Sequence, residues 1–366
     1  MSKIVLLAGA NSIHTIRWAN GLKLAGHDVY LISQHCLMHN LVDGIKYFQL
    51  STKGILGYFL NASQVKKIIQ EIKPDIVNAH YASGYGTTAR LVNFHPYVLS
   101  VWGADVYDFP NKSFIHLLLV KKNLKAADKI ASTSHCMARQ TQKILPSLKE
   151  ISITPFGVET SIYNNIEETN KNDGQLVIGT VKTMADKYGI DILIDAFYLL
   201  YTKLVKNKSD LAEAIQLRLV GGGPQLQNLK LKVSQLGLDR KVCFVGQIPH
   251  EKVVEELSNF DIYVALSRLD SESFGVAIIE ASAAGLPVVV SDVGGLPEVT
   301  INNVTGFVVP RENPVIAASA IEKLVLDPEL RVEMGMKGKL HVKKHYDWDA
   351  CIKTMENVYN ETVKGN

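Results

Sequence analysis

From Ile4 onward, short runs rich in Val, Ile and Leu alternate with amphipathic stretches of roughly 10–15 residues. A chain written that way has few folds open to it. Each apolar run is too continuous for a half-exposed strand, so it predicts a parallel sheet covered by helices on both faces. In the first half the strand runs are Ile4–Leu7, Val29–Ile32, Asp75–Ala79, Tyr97–Val101, Lys129–Ser132 and Ile151–Thr154. Helical patterns lie between them at Ile13–Ala25, Ala62–Ile72, Gly84–Asn93, Phe114–Ala126 and Cys136–Leu145. The alternation stops at ETSIYNNIEETNKNDGQ, Glu159–Gln175, a polar segment that reads as a linker. It restarts with strand runs Leu176–Val181, Gln216–Val220, Val242–Val245, Ile262–Ala265 and Pro287–Val290, and helices near 188–205, 224–236, 249–258 and 275–284. The expectation is two doubly wound, Rossmann-like α/β domains, 1–160 and 176–346, with a helix from Trp348 to Val363 after them. A length of 366 residues suits two such cores. Ligands of these sheets sit beyond the carboxyl ends of the strands, so a crevice that the two domains face is the expected site.

Composition narrows the class. Four cysteines, Cys36, Cys136, Cys243 and Cys351, stand far apart, which argues against a disulfide framework or zinc site and for a reducing, cytoplasmic setting. The Ile4–Ala8 run is too short for a signal peptide, and no apolar stretch reaches the length of a membrane span. The net charge of +3 is unevenly spread. Residues 1–150 hold 17 Lys and Arg against 8 Asp and Glu, leaving 22 against 28 in the remainder. A basic half beside an acidic half points to an anionic ligand or surface on the first domain. Lys121, Lys122, Lys125 and Lys129, next to the apolar Leu117–Val120, fit peripheral contact with the inner face of an anionic membrane. Without a recognition motif, nucleic acid is not an expected partner.

Chemistry is concentrated in SESFGVAIIEASAAGLPVVVSDVGGLPE, Ser271–Glu298. Glu272 precedes a Phe274-Gly275 turn into a helix beginning near Val276, and Glu280 lies on that helix. Eight helical steps span about 12 Å, the scale that separates a hexose ring from the ribose of a nucleotide sugar. One carboxylate is thus placed to hold sugar hydroxyls and the other ribose hydroxyls, with a diphosphate at the helix start, beside Ser273, Phe274, Gly275 and Val276. Upstream, Lys182 and Lys187 follow the Leu176–Val181 strand. A departing nucleoside diphosphate needs positive charge. Asp105 and Asp108 do not make a D-x-D metal motif, so the two lysines are the expected source and neither metal nor cofactor is.

Here the sequence resembles the family-4 retaining glycosyltransferases, whose second domain carries E-x7-E, then A-x-G-x-P-V-V, then G-G-x-P-E. All three elements are present, Glu298 closing the last. The resemblance implies the GT-B fold, a final segment 347–366 that crosses back to the first domain, and retaining transfer of a hexose from a nucleotide sugar, UDP-linked by expectation. The acceptor would be a saccharide or lipid-linked saccharide of surface-polysaccharide synthesis. It also implies that Lys187 matches the family lysine, that Lys182 stands where arginine is usual, and that His80, closing Asn78-Ala79-His80, hydrogen-bonds donor or acceptor hydroxyls. Gly9 matches a family Gly-Gly pair that Ala10 breaks; Gly222 lies in a G-x-G-P-like run. Gly246, Gln247 and Ile248 are placed like the backbone that reads the base. His14, Arg17, Trp102 and Asp105 are acceptor-side candidates. Two other readings share this architecture: a sugar-nucleotide 2-epimerase, and a non-catalytic partner subunit suggested by Ala10, Lys182 and Trp102.

Overall fold

The computed structural model describes residues 1–148, 150–163 and 174–365, with the side chain of Ser209 left aside. The chain divides into two compact units, Met1–Pro155 with Asp349–Asn366, and Phe156–Trp348.

The first unit carries seven parallel strands: β1 (Lys3–Leu7), β2 (Asp28–Ser33), β3 (Lys46–Gln49), β4 (Ile76–His80), β5 (Tyr97–Val101), β6 (Lys129–Ser132) and β7 (Ser152–Ile153), in the spatial order β3-β2-β1-β4-β5-β6-β7. The second carries β8 (Leu176–Val181), β9 (Ile215–Val220), β10 (Val242–Gly246), β11 (Ile262–Ala265), β12 (Val288–Ser291) and β13 (Gly306–Val309), ordered β10-β9-β8-β11-β12-β13. Both are doubly wound Rossmann-type sheets whose direction of winding reverses between β1 and β4, and between β8 and β11. Strands β4 and β5 are buried at every residue, as the unbroken apolar runs require. The edge strand β3, KYFQ, was not expected; an edge strand loses water on one face only, and its four residues are half polar. Strand β13 and helices Pro314–Leu326 and Pro328–His345 are further elements beyond those expected.

From Asp349 on, helix Trp348–Lys364 belongs to the first unit, where Cys351, Ile352, Met355, Val358 and Tyr359 are buried. Side chains of this size stabilise by about 1.5–3 kcal/mol each when fully buried. Polar contacts fix its register: the Tyr359 hydroxyl donates to Asn78 Oδ1 at 2.9 Å, and Glu356 meets His27 Nε2 at 2.7 Å.

The core of the polar segment read as a linker, 164–173, lies outside the described residues. The division of the chain falls earlier, after Pro155. Residues following it are already held by the second unit: Val158 donates to the Tyr346 carbonyl, Trp348 donates to that of Val158, and the Phe156 ring packs edge-on against Phe274.

Candidate active site

At the carboxyl end of β8 the backbone leaves the sheet at Lys182. Its ammonium lies 2.5 Å from Glu272 Oε1, with both side chains largely shielded from water. Burial works against the charge, but the neighbouring Glu272 carboxylate, with Tyr263 and Tyr188, outweighs it and holds Lys182 above the ordinary lysine range. The ammonium also lies 4.9 Å from the centre of the Tyr188 ring, and that of Lys187 lies 4.8 Å from the same ring. One aromatic ring thus gathers both cations.

Several close backbone approaches hold these residues. A methyl on Gly221 would overlap the Lys182 carbonyl, and one on Gly223 that of Met184, while Lys182 N–H donates to Val220. The glycine run therefore packs the lysine loop; Gly222 is its roomy member. Arg268 grips the other side. Its guanidinium holds Asp191 and the Asp186 carbonyl, and its N–H donates to the carbonyl of Lys187. On the Glu272 side, Gly295 N–H donates to the Glu272 carbonyl at 3.0 Å, and any side chain on Gly295 would overlap the Ser273 carbonyl. That is the physical content of the Gly294-Gly295 pair.

Glu272 sits before the helix, which spans Val276–Ala283 and begins after Gly275 in a left-handed conformation, φ 101°. The fully helical spacing of Glu272 and Glu280 therefore does not apply. Glu280 is buried on the helix, its Oε1 3.3 Å from His250 Nε2. Ser273 is buried and Val276 half-buried. The Phe274 ring packs edge-on against Phe156 and Tyr346, which leaves its backbone for a ligand at the helix start. Gly246, φ 87°, has open space around it, and Gln247 is exposed beside half-buried Ile248. Among the described residues no group of three or more His, Cys, Asp or Glu side chains converges as a metal site would.

The corresponding end of the first unit is built differently. His80 closes β4 fully buried. The amide of Asn78 donates to Val98 O and Ser100 Oγ, which turns its oxygen toward His80 Nε2 at 3.2 Å. That makes Nε2 the protonated nitrogen. Nδ1 keeps a buried lone pair with no hydrogen-bond partner among the described residues. Burial lowers the pKa to about 3, so the ring is neutral. The Trp102 ring lies 4.2 Å from His80, 5.4 Å from Tyr81 and 6.3 Å from His14, and Arg17 is half-buried on the same helix as His14, Ile13–Leu24.

Asp105 lines a cavity on this side and is tied to the backbone around it. Its carboxylate accepts from the N–H groups of Ala82, Trp102 and Gly103. Burial raises its pKa and these donors partly restore it. The group is a clamp on two loops, with its oxygens already committed. Gly9 has Asn11, His35 and Tyr85 around its Cα, and Ala10 is fully buried with its N–H on Ser33 Oγ, so the added methyl points into the protein.

A cavity of about 620 Å³ opens here, lined by Gly9, His35, Tyr58, Tyr81, Tyr85 and Asp108 among others. Its volume is in the range of small-molecule sites, roughly 300–1,000 Å³. Tyr85 OH is the hub, 2.9 Å from Ser33 Oγ and 2.7 Å from His35 Nδ1 while accepting from Gln34 N–H. Tyr81 adopts φ 72°, a left-handed backbone that costs a non-glycine residue of order 1 kcal/mol or more and that often marks functional loops. Neither tyrosine was anticipated. Tyr81 stood next to His80 in the motif and could have been; Tyr85 and His35 converge only in three dimensions.

No helix among the described residues is long and apolar enough to cross a membrane. None of Cys36, Cys136, Cys243 and Cys351 is in a disulfide.

Residues 3–134 match the family described as "Glycosyl transferase 4-like", and residues 161–341 the family described as "Glycosyl transferases group 1". An uncharacterized glycosyltransferase of Methanocaldococcus jannaschii is 28% identical over 334 residues, 90% of this chain and 86% of that one. The N-acetyl-alpha-D-glucosaminyl L-malate synthase of Bacillus anthracis is 25% identical over 323 residues, 83% of this chain and 79% of that one. Among solved structures, sucrose-phosphate synthase from Thermosynechococcus elongatus matches with a TM-score of 0.84 at 19% identity over 100% of both chains. Anabaena HepE in complex with UDP matches with a TM-score of 0.78 at 16% identity, over 98% of this chain and 100% of that one.

Proposed function

The chain is a glycosyltransferase of the GT4 type with the GT-B fold of two Rossmann-like domains, and from that premise we propose that it transfers a hexose or N-acetylhexosamine from a UDP-sugar with retention of configuration. The acceptor in this reading is a saccharide or lipid-linked saccharide of surface-polysaccharide synthesis, met in the cytoplasm at the inner face of an anionic membrane. The observation that carries the reading is the shielded Lys182–Glu272 pair at the end of β8, with Lys187 on the same tyrosine ring.

Lys182 and Lys187 together outweigh the one Glu272 carboxylate, which leaves the fixed positive charge a leaving diphosphate needs where water screens it weakly. Lys182 and Lys187 would take up the charge as the glycosidic bond breaks, so no metal is called for. Glu272, already engaged by Lys182, would accept from the sugar hydroxyls. Glu280 would accept from the ribose hydroxyls, and the backbone of Gly246-Gln247-Ile248 would read the base. In a retaining reaction of this type the acceptor attacks from the face the phosphate leaves, and the phosphate oxygen takes the acceptor proton. His80, neutral and with a bare Nδ1, can only accept at that atom, which suits a sugar hydroxyl as donor. The choice of UDP draws on Anabaena HepE, solved with UDP and with UDP-glucose. Other relatives are named as GDP-mannose-dependent, which the test must separate.

Thermal denaturation of the full chain with UDP, GDP and ADP, each free and as its glucose or mannose conjugate, tests this. We expect UDP and its sugar to raise the melting temperature most, and the shift to persist in excess EDTA. A preference for GDP would change the donor; a need for divalent metal would remove the lysines from their role. Epimerised nucleotide sugar formed without acceptor would make the protein a 2-epimerase, and no shift with any nucleotide would leave a non-catalytic subunit.

A further inference from the structure

Helix Gly54–Leu60, sequence GILGYFL, is nearly all apolar, yet Gly57 is its one buried residue. Gly57 and Tyr58 make the inward contacts: a methyl on Gly57 would overlap the Thr52 carbonyl, and Tyr58 packs edge-on against Tyr85 at 5.2 Å. The rest of the helix faces solvent, Ile55 81% and Leu56 68% exposed, with Phe59 and Leu60 beside them. Helix Phe114–Ala126 repeats the pattern at its start, Phe114 being 72% and Ile115 76% exposed, with Leu118 one turn on. Both helices pack on the same helix, Gly84–Val92. Tyr58 from the first, and Lys112 just before the second, line the cavity that holds Gly9, Tyr81 and Tyr85. Two exposed apolar helix ends therefore stand at one cavity.

Solvent-facing side chains this large and this clustered mark a surface that meets something apolar. The charge around them says what. Lys53, Lys112, Lys121, Lys122 and Lys125 flank the apolar residues, and none forms an ion pair among the described residues. A second copy docked about a two-fold axis would bring this lysine-rich surface against itself, which like charges oppose. An anionic bilayer meets both demands at once: its interface takes the Ile, Leu and Phe side chains and its headgroups the lysines.

Resting on the transferase reading for its purpose, we propose that this face docks on an anionic bilayer and seats the mouth of the cavity at the headgroup level. A lipid-carried acceptor then reaches Tyr58, Tyr81 and Tyr85 with its apolar anchor still in the membrane.

The test is flotation of the full chain with vesicles of phosphatidylcholine alone and of phosphatidylcholine with about one third phosphatidylglycerol, a fraction high enough for a strongly negative surface. We expect binding to the anionic vesicles only, weakened at least tenfold by Leu56→Glu with Phe114→Glu and by raising salt to about 0.5 M, where screening shortens the reach of the lysines. Leu24→Glu, also an exposed leucine of this unit, should leave it unchanged. Absent binding by the wild type, or binding that the double substitution leaves intact, overturns the proposal. So does a sedimentation dimer that the double substitution dissolves without any vesicle binding, since the face then belongs to a second copy. Nucleotide binding, read by thermal shift without vesicles, separates the two readings: UDP binding without flotation removes only the docking face, and flotation without UDP binding removes only the transferase assignment.

Discussion

At the end of β8 a lysine and a glutamate stand 2.5 Å apart with a second lysine beside them. At the switch point of the first sheet, on the β4 side of the β1–β4 boundary where the second sheet uses the β8 side of its own, stands a histidine held neutral by burial, amid tyrosines and an aspartate whose oxygens accept from backbone N–H groups. The two sheets wind alike, so topology did not choose the chemistry. In the proposed reaction the two ends meet different demands. Breaking a bond to a diphosphate moves charge, and fixed charge stabilises moving charge. Recognising hydroxyls requires oriented donors and acceptors, and a buried ion there would only add a desolvation cost.

The comparison breaks most visibly at Lys187. Its replacement by Ala should lower turnover with the nucleotide sugar at least a hundredfold, the scale of losing one preorganised electrostatic contact. Turnover within threefold of wild type, measured at saturating donor, would mean that the second sheet is not a charged site in the sense argued here.

A smaller effect probes how the charged end is held. Gly295→Ala puts a methyl into the Ser273 carbonyl, so the Glu272–Ser273 backbone must move and the bond from Gly295 N–H to the Glu272 carbonyl lengthens. A shift of about 1 Å in a catalytic group can cost up to a hundredfold, and a partial shift should cost about tenfold in kcat/KM. Unchanged kcat/KM in a folded variant would show that Glu272 tolerates displacement, and so that it does not position the sugar.

How far such details could be read in advance depended on their range. The apolar runs of β1, β4, β8 and β11 were legible because a strand buried on both faces admits little else, and the loops at their ends followed. The turn that follows Glu272 was legible because its sequence neighbour Gly275 takes the left-handed backbone from which the Val276–Ala283 helix starts. The packing of the Phe274 ring was not legible because its partners, Phe156 and Tyr346, are remote in the chain. The backbone clamp at Asp105 was not legible, because nothing in a sequence announces that three N–H groups will converge on one carboxylate. Arg268 was overlooked for the same reason: its work is done on Asp186 and the carbonyl of Lys187 in a remote loop and on Asp191 in the helix that follows it.

The finest test addresses the neutral end. In the folded chain burial holds the His80 pKa at about 3, against an ordinary value of 6.5 in the unfolded chain. Below pH 6.5 the unfolded state therefore binds a proton that the folded state refuses, and stability falls as pH drops from 6.5 toward 3. The slope from this one residue approaches about 1.4 kcal/mol per pH unit. Lys182 behaves oppositely: raised above its ordinary 10.5, it contributes stability that is complete below that value and fades only at higher pH, so it is silent across the acid range. Denaturant unfolding of wild type and His80→Gln at pH 7, 6 and 5 isolates the first effect, since every other titrating group is common to both. We expect the stability difference between them to shift in the variant's favour by about 1 kcal/mol between pH 6 and pH 5. Parallel profiles would mean that His80 already carries its proton in the folded chain; both sheets would then end in charge, and the contrast between them would have to be rebuilt on something other than ionisation.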